Sequence, residues 1–448
     1  MVNELHTKFL KYLAIFGLVP YIKPSEQQTF KQQQYHYKPH HYHLQQLHRF
    51  QQQRSNSSSS KHHHHHIHHY NRPLRWQQIY TVTLIVANLM ATLYGVIFFP
   101  FKDNLIVSNL VSIMVFCVQI LVVISILLKT MFTYGKYYEL INNYNRVQNL
   151  MKYLLHIQLN PAEIRQRQRR KYIFLISTVH GSLVVSITVI AVKTYNGYFW
   201  YALMAIIILR TRIIQMIYFI DYIVYYMELF NMKLRALISC KIDRNYLLLD
   251  IDYDHLESFE YLQILKNIYQ ELYALHDRFN DLYGHSLASI YTVVVLDIII
   301  NMYWTFLTVF EYYESYYNYI TCSTLVPLYV ILFVMCYTAE QCEIQVVHLK
   351  RLLKTSLSRG TTNDSYNTLL QSFIMQILQN PITIRANGYF TVNLKSLMKI
   401  LANIATYLII LMQFRKANVN EESIELTTTI PNLPKNINGS LKFDIEDN

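Results

Sequence analysis

The sequence predicts an all-α integral membrane protein. It has seven transmembrane helices, a cytoplasmic N-terminus, an extracellular C-terminus and helices extended into the cytoplasm. Three observations predict this. Only 15% of the 448 residues are charged and 52% are hydrophobic, whereas soluble domains carry about 25% charged residues. Apolar runs recur at lengths near the roughly 20 residues that a helix needs to cross hydrocarbon. The basic residues collect on one side of those runs, as inside loops do. Gly and Pro are scarce, at 9 and 10 residues, which argues against a loop-rich β protein. The 39 tyrosines suit membrane interfaces and mixed pockets, because the ring is apolar and the hydroxyl seeks water.

Residues 1–78 read as a cytoplasmic N-terminal segment, with ten Lys and Arg against Glu4 and Glu26. Its apolar patch, Phe9 to Val19, is short and carries Lys11, so no cleavable signal peptide is expected. From about 27 to 72 the chain is low-complexity: Gln runs, Ser57 to Ser60, and His62 to His66. Such a tract buries too little apolar surface to fold, so the His run reads as part of a disordered insert rather than a metal site.

The transmembrane domain is expected over 79–414, with spans at about 79–99, 105–128, 172–192, 199–225, 285–310, 321–340 and 390–414. The last carries Lys395 and Lys399 near its start, so only about 400–414 suits lipid depth. Alternate loops hold 30 Lys and Arg on one side and 6 on the other. The richest, 129–171, holds nine. This places the N-terminus inside and, after seven spans, residues 415–448 outside as an extracellular tail. The sequon at Asn438 is then open to glycosylation, although the same pattern at Asn56 and Asn363 falls on the inner side. Segments 136–156 and 256–283 carry apolar residues at helical spacing and read as cytoplasmic extensions of the spans.

The net charge of +12 lies in the inner loops, so the expected partner is membrane lipid and not nucleic acid. Cys117, Cys240, Cys322, Cys336 and Cys342 form no C-x-x-C pair and no disulfide framework. Asp250, Asp252 and Asp254 resemble a calcium loop only in part, since His255 and Tyr261 stand where Gly and Glu belong. No nucleophile–base pair, phosphate cradle or ligand set marks an enzyme. No cofactor and no metal are expected.

The last span reads Thr406-Tyr407, five apolar residues, then Gln413-Phe414. Before it stands Ala386-Asn387-Gly388-Tyr389-Phe390-Thr391-Val392-Asn393. This motif, in the last of seven spans behind a cytoplasmic N-terminus, resembles the signature of insect gustatory receptors. The likeness in layout covers about 75–414, and the Gln/His/Ser-rich insert lies outside it. The resemblance implies a tastant-gated, non-selective cation channel of the plasma membrane. It implies a homo- or hetero-tetramer in which four copies of the last helix line one pore and cytoplasmic helix extensions anchor the assembly. It also implies a pocket for a small-molecule tastant in each subunit's outer half.

The residues bear on the pore by themselves. Asn403, Thr406, Ile410 and Gln413 follow steps of three and four, so they share one helix face. Three are polar, a stripe that is costly in lipid and satisfied against water or a facing copy. Periodicity alone fits a pore face or polar glue between helices equally. With the motif, the pore is the expectation, and Gln413 beside Phe414 is its constriction.

The outer halves of spans three to six are aromatic, with Trp200, Tyr303 and Trp304 as candidate pocket residues; a membrane-interface belt uses the same types. Asp297, Arg210 and Arg212 lie within apolar runs, as ligand contacts, as an Asp297–Arg pair between adjacent helices, or with the arginines buried at a water-filled cavity. A G-protein-coupled receptor is the alternative. It requires an outside N-terminus, which would put segment 129–171 outside as well. A secondary transporter would show internal repeats, which are absent here.

Overall fold

In a computed structural model the described residues are 2–19, 71–98, 106–155, 161–192, 199–240, 259–310, 316–358 and 364–429. Among them are ten helices and one two-stranded antiparallel pair. In chain order they are α1 (Val2–Ile15), α2 (Asn71–Ile97), α3 (Ile106–Phe132), α4 (Tyr134–Leu154) and α5 (Pro161–Val192). Then come α6 (Phe199–Cys240), α7 (Phe259–Phe310), α8 (Tyr316–Ser358), α9 (Asp364–Gln379), β1 (Arg385–Ala386), β2 (Phe390–Thr391) and α10 (Leu394–Thr429). The chain divides into two compact units, 1–398 and 399–448.

Among the described residues six helices are long and apolar enough to cross a membrane, over Trp76–Ile97, Ile113–Phe132, Arg169–Val192, Trp200–Arg235, Tyr261–Tyr303 and Cys322–Ser358. Length makes α6, α7 and α8 more than spans. At 1.5 Å per residue, the 52 residues of α7 run about 78 Å, well over the roughly 30 Å of hydrocarbon. Pro327 sits inside α8, and three residues before it the Thr324 carbonyl accepts from Arg210 of α6 at 3.0 Å.

The first unit is built around α6, which packs mainly on α8; α8 also packs on α5, α4 on α7, and α2 on α3. The amphipathic pieces show why they fold. In α4 the buried stripe is Tyr134, Tyr137, Leu140, Tyr144, Val147 and Met151. In α9 it is Tyr366, Leu369, Leu370, Phe373, Ile374 and Ile377. Both follow steps of three and four, so each helix buries one face.

Three features add to the sequence reading or depart from it. The first is the N-terminal apolar patch, for which no packing partner is legible in the sequence: Phe9, Leu10, Leu13, Leu18 and Val19 are buried. Gln77 Nε2 donates to the Val19 carbonyl at 2.7 Å and Gln215 Nε2 to that of Leu18 at 3.4 Å. The second is tyrosine, which is core material as well as interface material. Tyr144, Tyr172, Tyr218, Tyr222 and Tyr226 cluster with Phe9 and Phe219. Tyr144 donates to the Phe219 carbonyl at 2.8 Å, and burial pushes its phenol well above the ordinary range.

The third is the approach to the last helix. Residues 390–391, expected to begin that span, are strand, and α10 begins at Leu394. Asn387 and Gly388 both have positive φ, 51° and 81°. That is the hand of the primed hairpin turns that Asn-Gly favours. Ala386 then faces Phe390, and Arg385 faces Thr391.

Candidate functional site

Thr406, Tyr407, Gln413 and Phe414 all lie on α10, as do Asn403 and Ile410. The helix runs past Phe414 to Thr429, because no Gly or Pro interrupts it before Pro431. On it Asn403, Thr406, Ile410 and Gln413 are exposed, and Ile404 and Leu408 are buried. The Thr406 hydroxyl donates to the Ala402 carbonyl at 3.1 Å, which satisfies it without a second helix. Tyr407 is also exposed, so the open face is wider than the four-residue stripe.

The start of α10 belongs to the first unit and follows the β1–β2 hairpin. The Asn393 side-chain oxygen accepts from the Ser396 backbone N–H at 2.9 Å and caps the helix. Its amide faces the Glu343 carboxylate of α8 at 3.4 and 3.5 Å. Tyr269, His276 and Asn280 of α7 donate to the carbonyls of Asn380 and Thr383, and Asn280 Oδ1 accepts from the Arg385 N–H at 3.1 Å. Phe390 packs edge-on against Tyr291, centroids 5.0 Å apart. Sequence reasoning missed these anchors, although the Asn-Gly pair was a legible turn signal.

The candidate pocket residues are spread over two helices. Trp200 is the second residue of α6 and 40% exposed, and Tyr303 of α7 is half-buried. Trp304 follows Tyr303 on α7. Asn438 lies outside the described residues. Among the described residues Asp297 forms no ion pair with Arg210 or Arg212, which was one of the arrangements expected. Arg210 is buried; its Nη1 donates to Ser182 Oγ at 3.2 Å and its Nη2 to the Thr324 carbonyl at 3.0 Å. Ser186 and Ser323 meet beside them at 2.6 Å. The Asp297 carboxylate accepts instead from Asn301 Nδ2 at 2.9 Å, within electrostatic reach of Arg210. Together α5, α6, α7 and α8 place a cation, a carboxylate and several hydroxyls at one polar locus between apolar helices.

A largely apolar, multi-pass helical chain with such an interior polar locus and an exposed polar stripe on its last helix has the make-up of a membrane receptor. The chain belongs to the 7tm chemosensory receptor family, whose profile matches residues 9–418. It is 32% identical over 348 residues to a Drosophila melanogaster protein designated gustatory receptor 39b, covering 75% of this chain and 91% of that one. It is 29% identical over 153 residues to gustatory receptor 23a of the same fly, covering 34% of this chain and 40% of that one. Its fold is similar to the insect olfactory receptor OR5 from Machilis hrabei. The TM-scores are 0.51 for that receptor alone and 0.50 for its complex with eugenol. Both comparisons have 14% identity and cover 79% of this chain and 92% of that one.

Proposed function

We propose that the chain is a tastant-gated, non-selective cation channel of the plasma membrane, a homo- or hetero-tetramer whose pore is lined by α10 of each subunit. The observation that carries this reading is the exposed stripe Asn403, Thr406, Ile410 and Gln413. Polar side chains on an apolar helix are stable where water or a symmetry copy meets them. The gustatory relatives support the sensory role. The charge asymmetry supports an inside N-terminus and an outside C-terminal tail. The eugenol complex of the olfactory receptor supports a small-molecule ligand, for which Asp297, Trp200, Tyr303 and Trp304 are the candidate contacts. Family membership does not favour the G-protein-coupled alternative.

The test is electrical. Cells expressing the chain are recorded while a panel of sugars and bitter compounds is applied, with no nucleotide in the pipette. A channel gives evoked cation current under these conditions. Current that vanishes without nucleotide overturns the reading.

A further inference from the structure

Arg212, two residues beyond Arg210 on α6, has only 2% of its surface exposed. Its Nη1 donates to Gln215 Oε1 at 2.8 Å and its Nη2 to Ser286 Oγ at 3.2 Å. The guanidinium lies over the Tyr283 ring, 4.5 Å from the centroid. Among the described residues nothing accepts from its Nε–H, and the buried hydroxyls of Tyr137 and Tyr283 have no partner.

No carboxylate among the described residues pairs with Arg212. The charges on the helices packed around it add to the imbalance. Lys129 of α3 repels it, and the Asp281 carboxylate of α7 is already engaged by Lys136 of α4 at 2.8 Å. Tyr137 does not supply the missing charge: burial holds its hydroxyl well above the ordinary phenol range, so it stays protonated. A buried guanidinium without a counter-charge is costly, and a tyrosine face offsets only part of that cost. The arrangement therefore offers three unsatisfied groups able to donate, one of them cationic.

We propose that Arg212, Tyr137 and Tyr283 form an internal site for a monatomic halide anion, chloride under cellular conditions. Enclosure argues for a halide over a lipid phosphate. Tyr137, Gln215, Tyr283 and Ser286 are all buried, so the site is enclosed. The anion would join α4, α6 and α7. Through Gln215, which also holds the Leu18 carbonyl, it would secure the N-terminal turn as well.

The test uses the full-length protein in nanodiscs of zwitterionic lipid. Sodium gluconate is exchanged for sodium chloride at constant ionic strength and the thermal midpoint is followed. Chloride raises the wild-type midpoint saturably, by about 2 °C at roughly ten times its dissociation constant. Tyr137→Phe shifts the half-saturating chloride concentration upward about fivefold, and Arg212→Gln abolishes the dependence. If Arg212→Gln does not fold, Tyr137→Phe alone decides. A wild-type midpoint equal in both salts overturns the proposal. So does an equal rise in wild type and Tyr137→Phe, or stabilisation that follows anionic lipid content and ignores chloride.

Discussion

Lys171 of α5 meets Asp221 of α6 at 2.9 Å and Thr338 of α8 at 3.1 Å. The carboxylate side chain is 7% exposed and the lysine 26%. Breaking a buried pair costs more than the pair is worth, because the stranded charge stays buried. Lys171→Met should therefore destabilise the protein by about 2–3 kcal/mol, read as a lower thermal midpoint in detergent. Lys171→Met with Asp221→Leu should recover most of the loss. An unchanged midpoint in the single variant would refute the pairing. Gly284 makes a second prediction at this scale. A Cβ there would lie 3.0 Å from the Asn387 backbone nitrogen and 3.3 Å from its Cα. Backbone does not yield as a flexible side-chain end does, so Gly284→Ala should cost about 1–3 kcal/mol, measured the same way. Neither contact was legible in the sequence. Lys171 and Asp221 lie 50 positions apart, and nothing in a glycine announces what approaches it.

At the scale of the element, the hairpin and the cap of α10 matter most. Asn393 caps the first turn of α10 and faces Glu343 of α8, so the helix start is held at two points. Asn393→Ala should cost about 1 kcal/mol and speed hydrogen exchange of the amides from Leu394 to Leu397. Exchange at the wild-type rate would show that the cap is idle. The apolar runs predicted six of the helices because twenty unbroken apolar residues have few other fates. Periodicity also gave the extensions, as at Tyr134, Tyr137, Leu140 and Tyr144. Two pieces escaped. The Phe9–Val19 patch reads from sequence only as too short and too near Lys11 for a signal peptide; that its carbonyls find Gln77 and Gln215 is something no local pattern foretells. Residues 390–391 border the apolar run and so fall within the last span as read from sequence, while the Asn387-Gly388 turn signal ahead of them points to a hairpin.

On the scale of the whole molecule, the sequence yielded the family and the membrane class, because nine residues of motif stood in a fixed place in a layout of apolar runs. It did not yield the interior. Arg210 and Asp297 were visible as charges in apolar runs, but their partners are serines and carbonyls from other helices. Substituted-cysteine accessibility distinguishes an α10 that lines the conduction path from one that does not. Asn403, Thr406, Ile410 and Gln413 are each changed to Cys, with Ile404 and Leu408 as controls. The background is Cys322→Ser, because Cys322 is exposed. A water-soluble methanethiosulfonate reagent is applied while current is recorded. Block of current at the four exposed positions, with Ile404→Cys and Leu408→Cys unaffected, is the predicted result. Current that persists after confirmed modification at Asn403, Thr406, Ile410 and Gln413 would place the pathway elsewhere.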